Sequence, residues 1–288
     1  MGGRNGGDSG GKEFARVADE LRSRMTDGTY PYGSTLPAQR DMAEEFRVSR
    51  DTVQRVLREL VSERWIETRR GSGSRVVHQQ RIDSRAGGGQ ASRVVTLDSL
   101  MSEAFTQPEV TLDAYTLTSE SLDVHLRIQM ARIEAGYAAP RSLRVRLLLP
   151  DEDLPSSYWR SADPSEDRAL RERIQNITHR HTASLRETLD RLRRDGLVPS
   201  VECEIKHLAH VPTEKLYLLN GASLLRGWYM RYRRVIEVDD GRRIATTDVR
   251  GLSAGLTHYV KGDPSSPDTL VVTEAQEWFD DVWQDDRT

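Results

Sequence analysis

The chain has 288 residues, 30% of them charged, with a formal net charge of −3 and a single cysteine. This length accommodates two domains, and one cysteine excludes an internal disulfide. The small net charge is not typical of a protein that binds a polyanion over its whole surface. No apolar run reaches the length of a membrane helix, and the glycine-rich N-terminus lacks the apolar core of a signal peptide. We therefore expect a cytoplasmic protein with a flexible tail at residues 1–11.

The first predicted elements are three helices between residues 14 and 62. Apolar residues recur at helical spacing from Phe14 to Met25. Pro37 then precedes a short helix that runs through Met42 to Phe46, and Ser49 is the expected N-cap of a third helix. The apolar stripe of the third helix consists of Val53, Val56, Leu57, Leu60 and Val61.

The polar faces of the third helix carry side chains suited to reading DNA. These are Arg50, Asp51, Gln54, Arg55 and Arg58. Arginine pairs bidentately with guanine and glutamine with adenine, so an amphipathic helix that offers both near its N-terminus fits the major groove. A strand is expected from Trp65, then a glycine-rich tip at 69–73, and a returning strand from Arg75. Glycines at a hairpin tip allow the backbone to approach a phosphate.

Three motifs in fixed order resemble the winged helix-turn-helix of the GntR family of bacterial transcription regulators. They are Leu36-Pro37-Ala38-Gln39-Arg40, Ser49-Arg50-Asp51-Thr52-Val53 and Arg70-Gly71-Ser72-Gly73. The resemblance covers residues 12–78 and implies a DNA-binding domain there. The DNA-contacting residues that it implies are Arg40, Ser49, Arg50, Asp51, Thr52, Gln54, Arg55, Arg70, Gly71 and Gly73. Gln54 stands where the family usually has arginine, which favours an adenine contact at that position.

A Gly/Ser-rich stretch at 79–93 is predicted to be a flexible linker. From residue 94 the pattern changes to alternating strands and helices, which indicates a mixed α/β domain at 94–288. Strands are expected at 110–117, 142–150, 201–209, 214–219, 227–238 and 243–249. Helices are expected after the first of these strands through about Gly136, from Asp163 to Gly196, and from about Thr273 through Trp283. The complete chain is thus expected to be α/β, with a winged helix-turn-helix followed by an effector or dimerisation domain.

A shorter resemblance concerns Thr213-Glu214-Lys215 with Asn220 and Gly227, which is similar to the phospholipase D motif. Thr213 stands where that motif has its nucleophilic histidine, and Asn220 stands where it has aspartate. A threonine hydroxyl without a neighbouring base cannot replace the imidazole nucleophile. The resemblance therefore implies a non-catalytic phospholipase-D-like domain in which Thr213, Lys215 and Asn220 bind an anionic effector. The alternative effector fold is the mixed α/β ligand domain of another GntR subfamily, with a strand-turn-strand at 231–243.

These observations predict a DNA-binding transcriptional regulator that binds a palindromic operator as a homodimer. The resemblance to the GntR family implies that it is a repressor. A small, anionic effector is the expected second partner, and no membrane partner, cofactor or catalytic residue is expected. No metal site is predicted, because His179 and His181 lie two residues apart on a helix and face different ways. Two alternatives remain: a DNA-targeted phosphodiesterase or nucleotide-processing enzyme, and a plasmid- or chromosome-maintenance protein that senses no ligand.

Overall fold

The computed structural model describes residues 6–26, 29–30, 33–63, 65–69, 73–77, 82–84, 97–154, 158–238, 242–249 and 255–285. The chain forms two compact units, and each contains more than one segment of sequence. Unit 1 comprises residues 1–79, 157–173 and 231–253, whereas unit 2 comprises residues 80–156, 174–230 and 254–288. None of the helices within the described residues is long and apolar enough to cross a membrane.

The helices are α1 (Gly6–Thr26), α2 (Gln39–Glu45), α3 (Arg50–Ser62), α4 (Leu97–Ala104), α5 (Glu120–Glu134), α6 (Asp167–Arg194) and α7 (Pro267–Gln284). The first seven strands are β1 (Ile66–Arg69), β2 (Gly73–Val76), β3 (Ile82–Ser84), β4 (Glu109–Tyr115), β5 (Ser142–Pro150), β6 (Arg160–Ser161) and β7 (Ser200–Leu208). They are followed by β8 (Glu214–Leu219), β9 (Ser223–Trp228), β10 (Arg231–Glu237), β11 (Arg243–Val249) and β12 (Leu256–Val260).

Unit 1 contains the three predicted N-terminal helices and the hairpin of β1 and β2. Ser49 caps α3 as expected, because its Oγ accepts a hydrogen bond from the Thr52 N–H at 3.0 Å. The three helices share one apolar core that includes Leu21, Met42 and Leu60. Two details differ from expectation. Helix α1 already begins at Gly6, within the segment expected to be a tail, and Val61 is 41% exposed instead of joining the apolar stripe.

The hairpin is anchored to the segment that precedes α2. The Leu36 N–H donates to the Ser74 carbonyl, and the Val76 N–H donates to the Ser34 carbonyl. Arg75 adds a side-chain hydrogen bond, in which its Nε donates to the Gly33 carbonyl at 2.8 Å. These bonds hold the hairpin, which is the wing of the domain, against the segment that leads into α2.

Two later segments of the chain complete unit 1. Strands β10 and β11 form an antiparallel pair, and β6 joins β11 on its other side. The first seven residues of α6 belong to the same unit. A small apolar cluster forms between these pieces, with Leu170, Ile236 and Ile244 at its centre. Residues 157–173 and 231–253 thus belong to the same unit as the helix-turn-helix. The sequence had instead predicted that a continuous second domain begins at residue 94 and includes them.

Unit 2 is built on a seven-stranded mixed sheet with the order β3-β12-β9-β8-β4-β5-β7. One face packs against α4, α5 and α6 through the main core, in which Phe105, Leu122 and Leu185 are buried. The other face packs against α7, where Phe279 is fully buried and Trp278 and Trp283 are partly buried. The aromatic residues of α7 therefore belong to a core. The helix begins at Pro267, earlier than predicted, and Ser266 caps it, because the Ser266 Oγ accepts a hydrogen bond from the Asp268 N–H.

The predicted strand 227–238 is wrong as a single element. The structure contains β9 and β10 there, and they belong to different sheets and different units. Tyr229 and Met230 separate the two strands, and the Tyr229 N–H donates to the Thr213 carbonyl. Strands β3, β6 and β12 and helix α4 were not predicted, because such short segments carry little periodicity.

Candidate nucleic-acid interface

The side chains of α3 divide into an exposed face and a buried face. Arg50, Asp51, Gln54 and Arg58 are all exposed. At 100° per residue they fall within about a quarter of the helix circumference, so they form one continuous polar face. The opposite side is buried and includes Val53, Val56 and Leu60. The exposed face carries the Arg50 guanidinium and the Gln54 amide near the helix N-terminus and the Arg58 guanidinium further along, the donor set that binds guanine and adenine edges.

Three of the residues predicted to contact DNA, Ser49, Thr52 and Arg55, also make contacts within the protein. Thr52 is 5% exposed, and its hydroxyl lies 2.9 Å from the Ser49 Oγ. The Arg55 guanidinium carbon lies 5.2 Å from the centroid of the Phe14 ring, in cation–π range. Ser49 itself is exposed but uses its hydroxyl to cap the helix. Thr52 and Arg55 are consequently less accessible to DNA bases than Arg50 and Gln54.

The remaining predicted contacts lie on α2 and on the wing. Arg40 is exposed on the first turn of α2. Gly73 begins β2 with φ of +77°, a left-handed conformation that favours glycine. A Cβ at this position would meet only the Thr35 Cγ2 at 3.4 Å, so backbone conformation and not space requires the glycine. Arg70 and Gly71 lie outside the described residues.

Glu59, on the buried side of α3, binds arginines from distant parts of unit 1. Its Oε1 accepts from the Arg173 guanidinium of α6 at 2.8 Å and from the Arg234 guanidinium of β10 at 3.1 Å. Arg234 also donates from Nε to Asp248 of β11 at 2.6 Å. Nearby, Arg22 of α1 donates to both carboxylate oxygens of Glu63, at 2.9 Å and 2.7 Å.

Burial raises the pKa of Glu59, but the cations of Arg173, Arg234 and Arg22 oppose this effect and bring the pKa below its ordinary value. Burial conversely lowers the pKa of Arg234, and the acidic partners Asp248, Glu59 and Glu63 outweigh it. Glu59 and Arg234 are therefore both charged at neutral pH. The network joins α3 to β10 and α6 within unit 1. Sequence reasoning missed it, because a glutamate between exposed Arg58 and buried Leu60 carries no signal of a distant partner.

The predicted effector residues lie along β8 in unit 2 and do not form one cluster. Thr213 is exposed just before β8, and Asn220 follows the last residue of β8, about 23 Å from Thr213 for an extended strand of this length. The Asn220 side chain accepts from the Thr111 N–H at 2.9 Å and donates to the Ala104 carbonyl at 3.1 Å. With φ of +53°, Asn220 occupies a turn conformation that asparagine tolerates well.

Lys215 is 1% exposed. Burial lowers its pKa to about 8, although the nearby Glu120 carboxylate acts in the opposite direction. His125 of α5 is also buried, and burial lowers its pKa to about 4, so its imidazole is neutral at physiological pH. The His125 Nδ1 lies 2.6 Å from the Ser121 carbonyl and therefore donates to it. Among the described residues, the other ring nitrogen of His125 has no hydrogen-bond partner.

A polar depression of about 530 Å³ opens on the α7 side of the unit 2 sheet and includes Asn220 in its lining. Arg146 lies in it and donates to Asp113 at 2.6 Å and 2.7 Å and to Asp280 at 2.6 Å. The Asp113 hydrogen bonds raise the pKa of Arg146 further above its usual range. Arg144 and Lys261 also line the depression, and both are exposed.

The three helices, the capped third helix and the anchored hairpin define a winged helix-turn-helix of the DNA-binding class. Comparison with protein families assigns it more closely. Residues 14–76 match the family described as "Bacterial regulatory proteins, gntR family". The chain therefore carries a GntR-family helix-turn-helix domain at its N-terminus, as its motifs predicted.

Curated relatives share this domain. The chain is 38% identical over 76 residues to the "Exu regulon transcriptional regulator" of Escherichia coli (strain K12), which covers 25% of this chain and 30% of that protein. It is 43% identical over 59 residues to the "Uncharacterized HTH-type transcriptional regulator Rv0494" of Mycobacterium tuberculosis, covering 20% and 24% respectively. The chain thus spans less than a third of the length of these relatives.

A longer match extends beyond the helix-turn-helix. The chain is 27% identical over 116 residues to "HTH-type transcriptional regulator GmuR" of Bacillus subtilis, covering 40% of this chain and 48% of that protein. Among solved structures, "Streptococcus agalactiae GntR" aligns with 64% of this chain and 84% of its own at 16% identity. Its TM-score of 0.21 is too low to indicate a shared overall fold.

Proposed function

We propose that this protein is a sequence-specific DNA-binding transcriptional regulator, a repressor by its family, which binds a palindromic operator as a homodimer. The observation that carries the proposal is the exposed face of α3, where Arg50, Gln54 and Arg58 lie side by side on a GntR-family scaffold. One winged domain reads a half-site, so two-fold pairing of the chain would read both halves. Arg40 and the wing would supply contacts to the DNA backbone.

The base-reading part of the proposal is tested by fluorescence anisotropy with DNA from upstream of the protein's own gene. Arg50→Ala should weaken binding to the specific site by ~1–3 kcal/mol and leave binding to a random duplex much less affected. Arg168→Ala is the matched control, because Arg168 is an exposed arginine of unit 1 that pairs with Glu172 on α6. Equal loss of affinity for specific and random DNA would mean that Arg50 contacts phosphates only.

For unit 2 we propose a non-catalytic, ligand-sensing role with a small anionic effector. The polar depression supports this role better than the β8 residues as a group, because Lys215 is almost inaccessible and Thr213 lies far from Asn220. Arg146 is neutralised there by two aspartates, which leaves Arg144 and Lys261 as exposed cations able to bind a carboxylate or phosphate. The predicted phospholipase-D-like character of this unit remains a proposal.

The effector proposal is tested with inorganic phosphate and citrate as probes in the anisotropy assay. Either anion should change the operator affinity of the wild type, and Arg144→Ala should reduce that response. Glu109→Ala is a control on the neighbouring strand, since Glu109 is exposed and lies outside the depression. A response that Arg144→Ala leaves intact would contradict the assignment of the depression. Turnover of a generic phosphodiester that is lost in Lys215→Ala would instead favour the phosphodiesterase alternative.

A further inference from the structure

Strand β7 is the terminal strand of the unit 2 sheet, with β5 as its neighbour. No other strand pairs with it in the part of the chain that the structure describes. The Ser200 N–H donates to the Arg141 carbonyl, and the Leu208 carbonyl accepts from the Asp151 N–H, so even-numbered residues bond towards β5. Backbone direction alternates along a strand, and the outward groups therefore belong to Val201, Cys203, Ile205 and His207.

The two faces of this edge differ in chemistry. Val201, Cys203 and Ile205 are half-buried and pack against the main core of unit 2, so part of their apolar surface remains exposed at the edge. On the other face, Glu204 is exposed, and Lys206 is held by a 2.6 Å hydrogen bond from its Nζ to the Trp283 carbonyl. A nine-residue edge whose outward backbone groups pair with no strand of the described residues is a template for pairing with another strand.

We infer that a second copy of this chain pairs along β7 and thereby forms the homodimer interface. The inference rests on the dimer of the proposed function and names its surface. Two copies of one strand related by a two-fold axis normal to the sheet run antiparallel, the arrangement in which each outward residue exchanges hydrogen bonds with its counterpart. The outward-pointing residues of β7 supply those groups in both copies.

Charge selects the register of this pairing. Residues opposite one another lie on the same face, so the axis passes through a single residue. With the axis at Cys203, Glu202 of each copy would face Glu204 of the other. With the axis at Glu204, the two Glu204 carboxylates would face each other, although Glu202 of each copy would face Lys206 of the other. With the axis at Ile205, Glu204 of each copy faces Lys206 of the other, and the two Ile205 side chains meet. Of these three registers, only the last contains no pair of like charges, and it covers apolar surface at the axis.

The interface is tested by charge reversal in the full-length protein, with the dimer dissociation constant measured by analytical ultracentrifugation. Glu204→Lys should weaken dimerisation about 30-fold, because two attractive cross-strand pairs become repulsive. Glu202→Lys is the matched control: it makes the same charge change on the same face of β7, but lies opposite Leu208 of the second copy and should leave the constant unchanged. Adding Lys206→Glu to Glu204→Lys should restore dimerisation. Equal constants for both single variants would overturn the inference.

A cross-linking experiment tests the register independently. In Cys203→Ser/Ile205→Cys, the two new cysteines would sit at the axis with Cα atoms about 5.5 Å apart, which is within disulfide reach. The Cα atoms of the two Cys203 residues of the wild type would be about 14 Å apart. Oxidation should therefore yield a covalent dimer of the variant and not of the wild type. A wild-type disulfide would overturn the register. A protein that is monomeric at every concentration would overturn the proposed dimer itself, whereas a dimer insensitive to all these changes would overturn only the β7 surface.

Discussion

Replacing Glu59 by glutamine tests whether the buried ion-pair network holds α3 in place. The substitution removes one charge and keeps the shape of the side chain. Arg234 would retain Asp248 at 2.6 Å and Glu63 at 3.4 Å, whereas Arg173 would lose the carboxylate that lies 2.8 Å from its guanidinium. Removing one partner of a buried ion pair typically costs about 3–5 kcal/mol. We expect the lower end of that range, because Arg234 keeps two acidic partners.

The measurement is native-state hydrogen exchange, which follows each unit separately. A loss of about 3 kcal/mol corresponds to a fall of roughly 150-fold in the protection of α3 and β10 amides. Amides of β8 in unit 2 serve as the internal reference. Glu44→Gln, an exposed glutamate of α2, is the matched control and should leave protection unchanged. If Glu59→Gln leaves the protection of α3 at the wild-type level, the network does not stabilise the helix.

The same variant has a predicted pH dependence. The folded-state pKa of Glu59 lies below its unfolded value of about 4.3, because the surrounding arginines outweigh burial. The stability that this difference provides is present above the unfolded pKa and is lost as the pH falls through the folded pKa. The wild type should therefore lose α3 protection on acidification below about pH 4, and Glu59→Gln should lack that component. Identical acid profiles would contradict the assigned role of the Glu59 charge.

Three further predictions concern local structure. Ser49→Ala removes the cap of α3 and should destabilise unit 1 by about 1 kcal/mol in urea unfolding, whereas Ser49→Asp, which can still cap, should not. Gly73→Ala places a Cβ at φ of +77° and should cost about 1–2 kcal/mol through backbone strain; an unchanged unfolding midpoint would mean that the wing relaxes. His125 has a pKa of about 4 when folded and about 6.5 when unfolded, so its contribution is present above 6.5 and falls by about 3 kcal/mol on acidification to pH 4. In His125→Gln the free energy of unfolding of unit 2 should change less over this pH range. A pH profile as steep as that of the wild type would mean that another group causes the acid sensitivity.

The sequence alone determined the helix-turn-helix, because its signals are local. Helical spacing of apolar residues placed α3, and the cap at Ser49 fixed its first residue. Strand β8 was predicted with its observed bounds, since an apolar run between polar segments predicts a buried strand. The identity of the DNA-binding domain followed from three short motifs within 38 residues of one another, and the family comparison confirmed it.

Only the tertiary structure decided which sheet each later segment joins and which distant residues it contacts. The stretch 227–238 reads as one strand, and long-range pairing divides it between two sheets in two units. Asn220 resembles a site residue in the sequence, but its amide binds backbone groups 109 and 116 residues away. Glu59 binds arginines 114 and 175 residues further along the chain. Periodicity and capping report interactions within about one helical turn or across one hairpin. A contact between distant segments depends instead on which surfaces folding brings together, and no local pattern of residues records that choice.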